Sequence, residues 1–381
     1  MDRLSYLIRE ARRMTPTPRR LVELDALRGL AALCVLLYHA WFAQALQPVP
    51  LRWLFAHSPL HVMVSGRQPV VFFFVLSGFV LSRALLARPP PGWANYALQR
   101  ALRLGLPVAG ALVFSLLLFL AVWQGPLPAW EGGGFMVGAV WTEAPTPGAL
   151  LLQALLLGHD GQISLDPVLW SLVHEWRISL LLPGVLLFRG RARLLLALGV
   201  ACTALAHALG GGGDNVALGP DVAATLVSTL YFMLPFCVGG ALALATVPVL
   251  PPAARRAAGL AVLVLACFEH DLASVVASAL LIVLALRPGP GLAWLRGRVP
   301  VWLGKVSFSL YLVHLPLMAA AVHLYHPRAA ITGMVALAML LALPAAALLH
   351  RWVEQPAHRL ARWVARRPWL TPAPAAQDAG A

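Results

Sequence analysis

The stretch Leu24-Asp25-Ala26-Leu27-Arg28-Gly29, running on through Leu30 and Tyr38 to His39, is apolar enough to cross a membrane, yet it holds a carboxylate, a guanidinium and an imidazole. Ionisable side chains are costly in hydrocarbon, so such groups are the first place to look for chemistry. Arg28 and His39 have ten residues between them. Eleven steps of about 100° close roughly three helical turns, which puts both on one stripe, about 16 Å apart along the axis. A charge near one membrane face and a proton-transfer group beyond the midplane suit chemistry inside the bilayer, with Asp25 at the entrance.

Two more apolar runs carry groups of the same kind. The fourth begins Asp166-Pro167-Val168-Leu169-Trp170-Ser171-Leu172-Val173-His174-Glu175-Trp176-Arg177, and the ninth contains Ser307-Phe308-Ser309-Leu310-Tyr311-Leu312-Val313-His314. Counting about 1.5 Å per residue from the expected membrane faces puts His39, Glu175 and His314 at one depth. Each has a structural alternative. Glu175 can pair with an arginine to hold helices together, and Tyr311 and His314 can satisfy backbone carbonyls. Arg177 sits nearest the midplane and needs an acid or an anionic ligand. Ser171 and His174 share the helix with Glu175. The second run has Phe73-Phe74-Val75-Leu76-Ser77-Gly78 followed by Arg83, and the third opens on Arg100 and Arg103. Arg28, Arg83, Arg100 and Arg103 could form a cationic mouth for a phosphate-rich ligand. The alternative is ordinary placement of basic residues on the cytoplasmic side, with Arg28 merely snorkelling to the interface. No His, Asp or Glu spacing makes a metal site, and the histidines His57, His61, His159 and His326 read as solvated loop residues.

The elements that must position these groups follow from composition. The chain has 381 residues, 60% hydrophobic and 12% charged, which is too apolar for a soluble domain and implies an all-α, polytopic membrane bundle. Spans are expected near 25–46, 68–87, 103–123, 168–188, 192–209, 222–247, 256–269, 271–287, 301–325 and 329–350: about ten helices, with both termini cytoplasmic. The seventh and eighth are short and separated by Glu269-His270-Asp271, so whether both cross fully is open. The net charge of +14 lies in alternate connections, as positive-inside topology requires, and does not indicate a nucleic-acid partner. The arm with Arg3, Arg9, Arg12, Arg13, Arg19 and Arg20 is expected on the anionic cytoplasmic leaflet, ahead of a retained first span. External connections carry Arg52, Arg67 and Arg328 with Glu131, Glu143, Asp160, Asp166, Asp214 and Asp221. The segment from about Gln124 to Pro167, rich in Gly, Pro and Trp, reads as a loop. The four cysteines lie in apolar runs at spacings of no metal or redox motif.

Five of these segments, in order along the chain, resemble the membrane acyltransferase 3 family, which O-acylates sugars and other secreted acceptors. They are Leu24 to Gly29 leading to His39, Phe73 to Gly78, Trp170 to Glu175, Ser309 to His314, and Glu354-Gln355-Pro356. Charge and span placement divide the chain into a basic cytoplasmic arm over 1–24, a transmembrane domain over 25–353, which the resemblance makes the acyltransferase domain, and a cytoplasmic tail over 354–381. The resemblance implies an acyl-coenzyme A donor, acetyl in most members, reaching the site from the cytoplasm, with no permanently bound cofactor. His39 would then be general base or transient acyl carrier, oriented by Glu175, with Arg28 and Asp25 completing the catalytic set. Arg28, Arg83, Arg100 and Arg103 would hold donor phosphates. Ser77, Ser171, His174, Arg177, Tyr311 and His314 would line the acceptor pocket. The acceptor would be a hydroxyl of a cell-surface or lipid-linked glycan at a bacterial inner membrane, with polysaccharide-assembly proteins as further partners. Many members have a second Glu and then Phe-Tyr after the position of Glu175; here Trp176, Arg177, Ile178 and Ser179 stand there. Two competing readings are a transporter or flippase for a lipid-linked glycan, with the buried charges as a relay, and a non-catalytic partner in polysaccharide assembly.

Overall fold

The structure is a computed structural model that describes residues 21–43, 53, 55, 58–88, 92–128, 134–213, 216–247, 249–325 and 331–367. Outside these lie the arm arginines, Arg52, His57, Glu131, Asp214, His326, Arg328 and the tail beyond residue 367. Among the described residues there is no strand. In chain order the helices are α1 (Val22–Phe42), α2 (Arg67–Ala87), α3 (Trp93–Val122), the short α4 (Gly134–Ala139) and α5 (Pro147–Ala154), and α6 (Leu169–Leu181). They continue with α7 (Ala192–Ala208), α8 (Val222–Tyr231), α9 (Met233–Leu244), α10 (Pro252–Leu265), α11 (Asp271–Leu286), α12 (Arg298–Tyr325), α13 (Ile331–Leu349) and α14 (Gln355–Val364). A 3₁₀ run over Leu182–Phe188 extends α6, and a π-helical turn over His350–Glu354 joins α13 to α14.

Seven helical stretches are long and apolar enough to cross a membrane, eight if the bent pair Asp271–Leu286 and Pro290–Arg296 counts as one more. The expected ten included three shorter elements, α7, α10 and α11, of 17, 14 and 16 residues, below the roughly 20 that a straight crossing needs. The expected span 222–247 is broken at Phe232. Pro235 has no amide hydrogen for the Tyr231 carbonyl four residues back, and the Thr203 hydroxyl of α7 donates to that carbonyl at 2.9 Å instead.

Glycine sets the two tightest helix crossings. α1 lies along α12, where a Cβ on Gly29 would strike the Gly304 amide and one on Gly304 would strike the Asp25 carbonyl. α2 lies along α9, where Gly78 faces the Phe236 backbone and Gly239 faces the Val75 carbonyl. Small residues allow this backbone approach, the usual basis of helix association in lipid.

Two stretches differ from the sequence reading. Helix α3 starts at Trp93, ten residues before its expected span, because its first turns latch onto the end of α6. Trp93 Nε1 donates to the Leu180 carbonyl at 2.9 Å, and the Tyr96 hydroxyl donates to the Ser179 carbonyl at 2.9 Å. The second bond replaces the donor that Pro183 cannot supply. The segment expected as a loop before α6 folds inward. Met136, Trp141, Ile163, Leu165 and Val168 are buried in the main core. The Trp141 indole stands edge-on to Phe119, at 5.6 Å between ring centroids, and donates to the Leu165 carbonyl at 3.2 Å. Trp141 takes φ 53°, an unfavourable region for so bulky a residue that the surrounding contacts hold in place. The stretch packs into the main core just ahead of α6. At the other end, the expected boundary at 353/354 falls inside the π turn, and Ala357, Ala361 and Val364 of α14 are buried on the side facing α3.

Candidate functional site

A buried polar contact joins α1 to α12. His314 Nε2 lies 3.1 Å from His39 Nδ1, and the two side chains are almost fully buried. Backbone carbonyls assign the protons. His314 Nδ1 lies 3.1 Å from the Leu310 carbonyl, which can only accept, so Nδ1 carries the hydrogen and Nε2 is an acceptor. His39 Nδ1 lies 3.0 Å from the Val35 carbonyl, so its hydrogen is shared between Val35 and His314 Nε2. The lone pair of neutral His39 therefore sits on Nε2. One carbonyl on each helix has fixed a base of defined tautomer.

A second layer lies one turn along α12, towards its N-terminus. The Tyr311 hydroxyl is 2.7 Å from Ser171 Oγ and donates to the Val168 carbonyl at 3.0 Å. One turn further along α6 is the third layer. Glu175 Oε1 accepts from Ser77 Oγ at 3.2 Å and from Arg100 Nη2 at 3.1 Å, while Arg100 Nε donates to Ser179 Oγ at 3.3 Å. Glu175 is thus about two turns, roughly 10 Å, from the histidine pair. This corrects the expectation that His39, Glu175 and His314 share one depth, since only the histidines meet. The count took each depth from an assumed membrane face, whereas the contacts between α6, α12 and α1 set the actual spacing. The carboxylate expected to orient His39 holds α3 and α2 instead, and His314 contacts the imidazole.

The expected cationic residues divide. Arg28 hydrogen-bonds across the glycine crossing, donating from Nε to Ser307 Oγ at 3.0 Å and from Nη2 to the Gly304 carbonyl at 2.9 Å, with Asp25 at 3.9 Å. Its side chain remains 42% exposed. Arg103, exposed on α3, lies among the charges of Arg100, Arg362, Arg28 and Glu354 and has no hydrogen bond among the described residues. Arg100 is buried within α3, and Arg83 stands apart on α2 over its own Phe79 ring. His174 is spent on structure, with Nδ1 2.9 Å from Thr229 Oγ1 and Nε2 2.7 Å from the Ala217 carbonyl. Arg177 donates to the same Thr229 hydroxyl at 3.3 Å and meets no carboxylate among the described residues.

Three groupings were missed by sequence reasoning. Buried Glu354 accepts from Ser309 Oγ at 2.7 Å and lies 2.9 Å from His350 Nδ1. Its place in the Glu354-Gln355-Pro356 segment was the available signal. Asp166, expected in an external connection, is fully buried beside the Val168 amide, with neither oxygen in hydrogen-bond geometry. Burial pushes its carboxyl well above the usual carboxylate range. Arg67, also read as external, forms a bidentate pair with Asp271 at 2.8 and 2.6 Å and donates to the Val216 carbonyl. The Tyr231 hydroxyl donates to Asp271 at 2.8 Å, and the guanidinium lies 4.9 Å from the Phe232 ring centroid. This node ties α2, α8 and α11 together. Asp271→Leu should lower stability by about 3–5 kcal/mol because it leaves Arg67 without a counter-charge. The double variant Arg67→Met/Asp271→Leu should recover most of the loss, as read by thermal unfolding in detergent.

Fold and site together define a multi-pass membrane protein built around a buried imidazole pair, with a cluster of guanidiniums towards one end. The sequence model of a family described as "Acyltransferase domain", the acyltransferase 3 family, matches residues 21–351, and the chain belongs to that family. No curated protein and no solved structure was found to match the chain.

Proposed function

We propose that this protein moves an acyl group, acetyl in the simplest case, from cytoplasmic acyl-coenzyme A to a hydroxyl of an extracytoplasmic or lipid-linked glycan at a bacterial inner membrane. The observation that carries the reading is the His39–His314 pair, whose hydrogen bonds leave the lone pair of His39 on Nε2. His39 Nε2 takes the proton of the acceptor hydroxyl as its oxygen attacks the thioester carbonyl. The carbon–sulfur bond breaks, and the departing thiolate takes the proton from the imidazolium. While that imidazolium exists, its Nδ1–H stays on His314 Nε2, which spreads the charge without water. Tyr311 and Ser171 lie between this pair and Glu175. Arg28, Arg100 and Arg103 make the donor end electropositive, with Arg103 the guanidinium best placed to meet a phosphate.

Topology supports the same direction of traffic. The charges of Arg28, near the start of α1, and of Arg362 on α14 both act on Arg103, which fits the first and last described helices ending on one side of the bundle. An even number of crossings would do this, and the seven long stretches become eight when the bent pair Asp271–Leu286 and Pro290–Arg296 is taken as one more. The basic side is then cytoplasmic at both ends of the chain.

The test is thiol release by the purified protein, given acetyl-coenzyme A and a surface-glycan acceptor and followed with a thiol-reactive dye. Acceptor-dependent release with mass gain on the glycan supports acyl transfer. Glycan flux across vesicles with the thioester intact would replace this reading with the transporter.

A further inference from the structure

The C-terminal helix carries a feature that the acyl-transfer site does not use. Arg359, Arg362, Trp363, Arg366 and Arg367 line a cavity of about 500 Å³ on α14 and the turn after it. They recur at three- and four-residue intervals, so they share one face. Four guanidiniums on one face repel one another, and among the described residues none of the four has an ion-pair partner. Arg367 lies 3.8 Å from the centroid of the Trp363 ring, which fixes one face of the indole, while the side chain stays 52% exposed. The opposite, apolar face of α14 (Ala357, Ala361 and Val364) is buried. The helix lies along α3, so that face is spent on protein and is not offered to lipid, as a helix lying on a membrane would offer it. Arg362 also neighbours Arg103, so the cavity continues the electropositive end of the acyl-transfer site.

A ligand for this cavity needs several phosphate charges and a flat ring. We propose that it binds the phosphorylated nucleotide end of the acyl donor, with the guanidiniums on the phosphates and the base stacked on the exposed indole face. The inference rests on the acyl-coenzyme A reading above. The 3′-phosphate and diphosphate of that donor bring about four negative charges, against four guanidiniums. Guanidinium suits this role through its two-pronged hydrogen bonding to phosphate. Anionic lipid headgroups share the phosphate but lack the base.

The experiment uses the full chain in zwitterionic nanodiscs and adenosine 3′,5′-bisphosphate, which has nucleotide and phosphates but no thioester. The wild type should bind it, and Arg362→Gln/Arg366→Gln and Trp363→Ala should each weaken binding about tenfold. With acetyl-coenzyme A as donor, the same variants should raise KM more than they lower kcat. The preference for acetyl-coenzyme A over acetyl-pantetheine should shrink by a similar factor. Bisphosphate binding unchanged in the variants overturns the proposal, as does a defect that appears only when anionic lipid is added. Variant-sensitive bisphosphate binding with no thioester consumption by the wild type upholds the nucleotide cavity and sinks the acyl-transfer reading alone. Normal turnover with variant-insensitive bisphosphate binding does the reverse.

Discussion

His39→Ala is expected to lower acyl transfer by about a thousandfold, the middle of the range for losing a positioned general base, with unfolding in detergent little changed. The substitution deletes the lone pair on Nε2 and leaves His314 with its bond to the Leu310 carbonyl. His314→Gln should behave differently. It acts through His39, so the loss should be smaller, about tenfold to a hundredfold, and should fall on kcat. The pH–rate profile should shift too, because an imidazolium at His39 loses the neutral nitrogen that accepts its hydrogen at 3.1 Å. His39→Gln keeps a hydrogen-bonding side chain without a base and should be as inactive as alanine. A His39→Ala protein that folds and transfers acyl groups at the normal rate would remove the imidazole from the mechanism and leave the buried pair a structural contact.

The stripe of Arg28 and His39 was legible because it rests on helix periodicity alone, whereas the contact with His314 was not. Arg28 and His39 share a stripe whatever the membrane boundary, and α1 does present both to α12, where Ser307 and His314 receive them. Glu175 was misplaced because its depth required knowing how α6 is set against its neighbours, and that depends on the segment packed ahead of it, whose burial is a tertiary property. Arg100 was placed outside the span expected over 103–123 because Trp93 to Arg103 is too polar for a span. Its helical state comes from the Trp93 and Tyr96 bonds to α6 carbonyls 83 to 87 residues away. The Arg67–Asp271 pair joins residues 204 positions apart, and each alone looks like an ordinary charged residue at a helix start. Sequence periodicity shows which face of a helix is polar. It does not show which distant carboxylate will meet it.

The Glu175–Arg100 pair carries the second large effect, and its two roles separate experimentally. Glu175→Leu leaves a buried guanidinium whose remaining bond is to Ser179, so stability should fall by about 3–5 kcal/mol. Arg100→Met strands the carboxylate with only Ser77 and should cost a similar amount. The two losses should not add. In the double variant neither charge is left uncompensated, and apolar replacements of a buried pair are often neutral or stabilising, so the unfolding midpoint should return close to that of the wild type. Activity should not return with it. Removing both charges takes a guanidinium from the donor end and leaves Ser77 without its acceptor, one turn from the Ser171–Tyr311 contact that leads to the histidines. Thermal unfolding and thiol release on the same four proteins decide the matter. Additive stability losses would mean that the 3.1 Å contact is not a coupled pair. Recovery of activity together with stability would reduce Glu175 and Arg100 to a brace between α6 and α3.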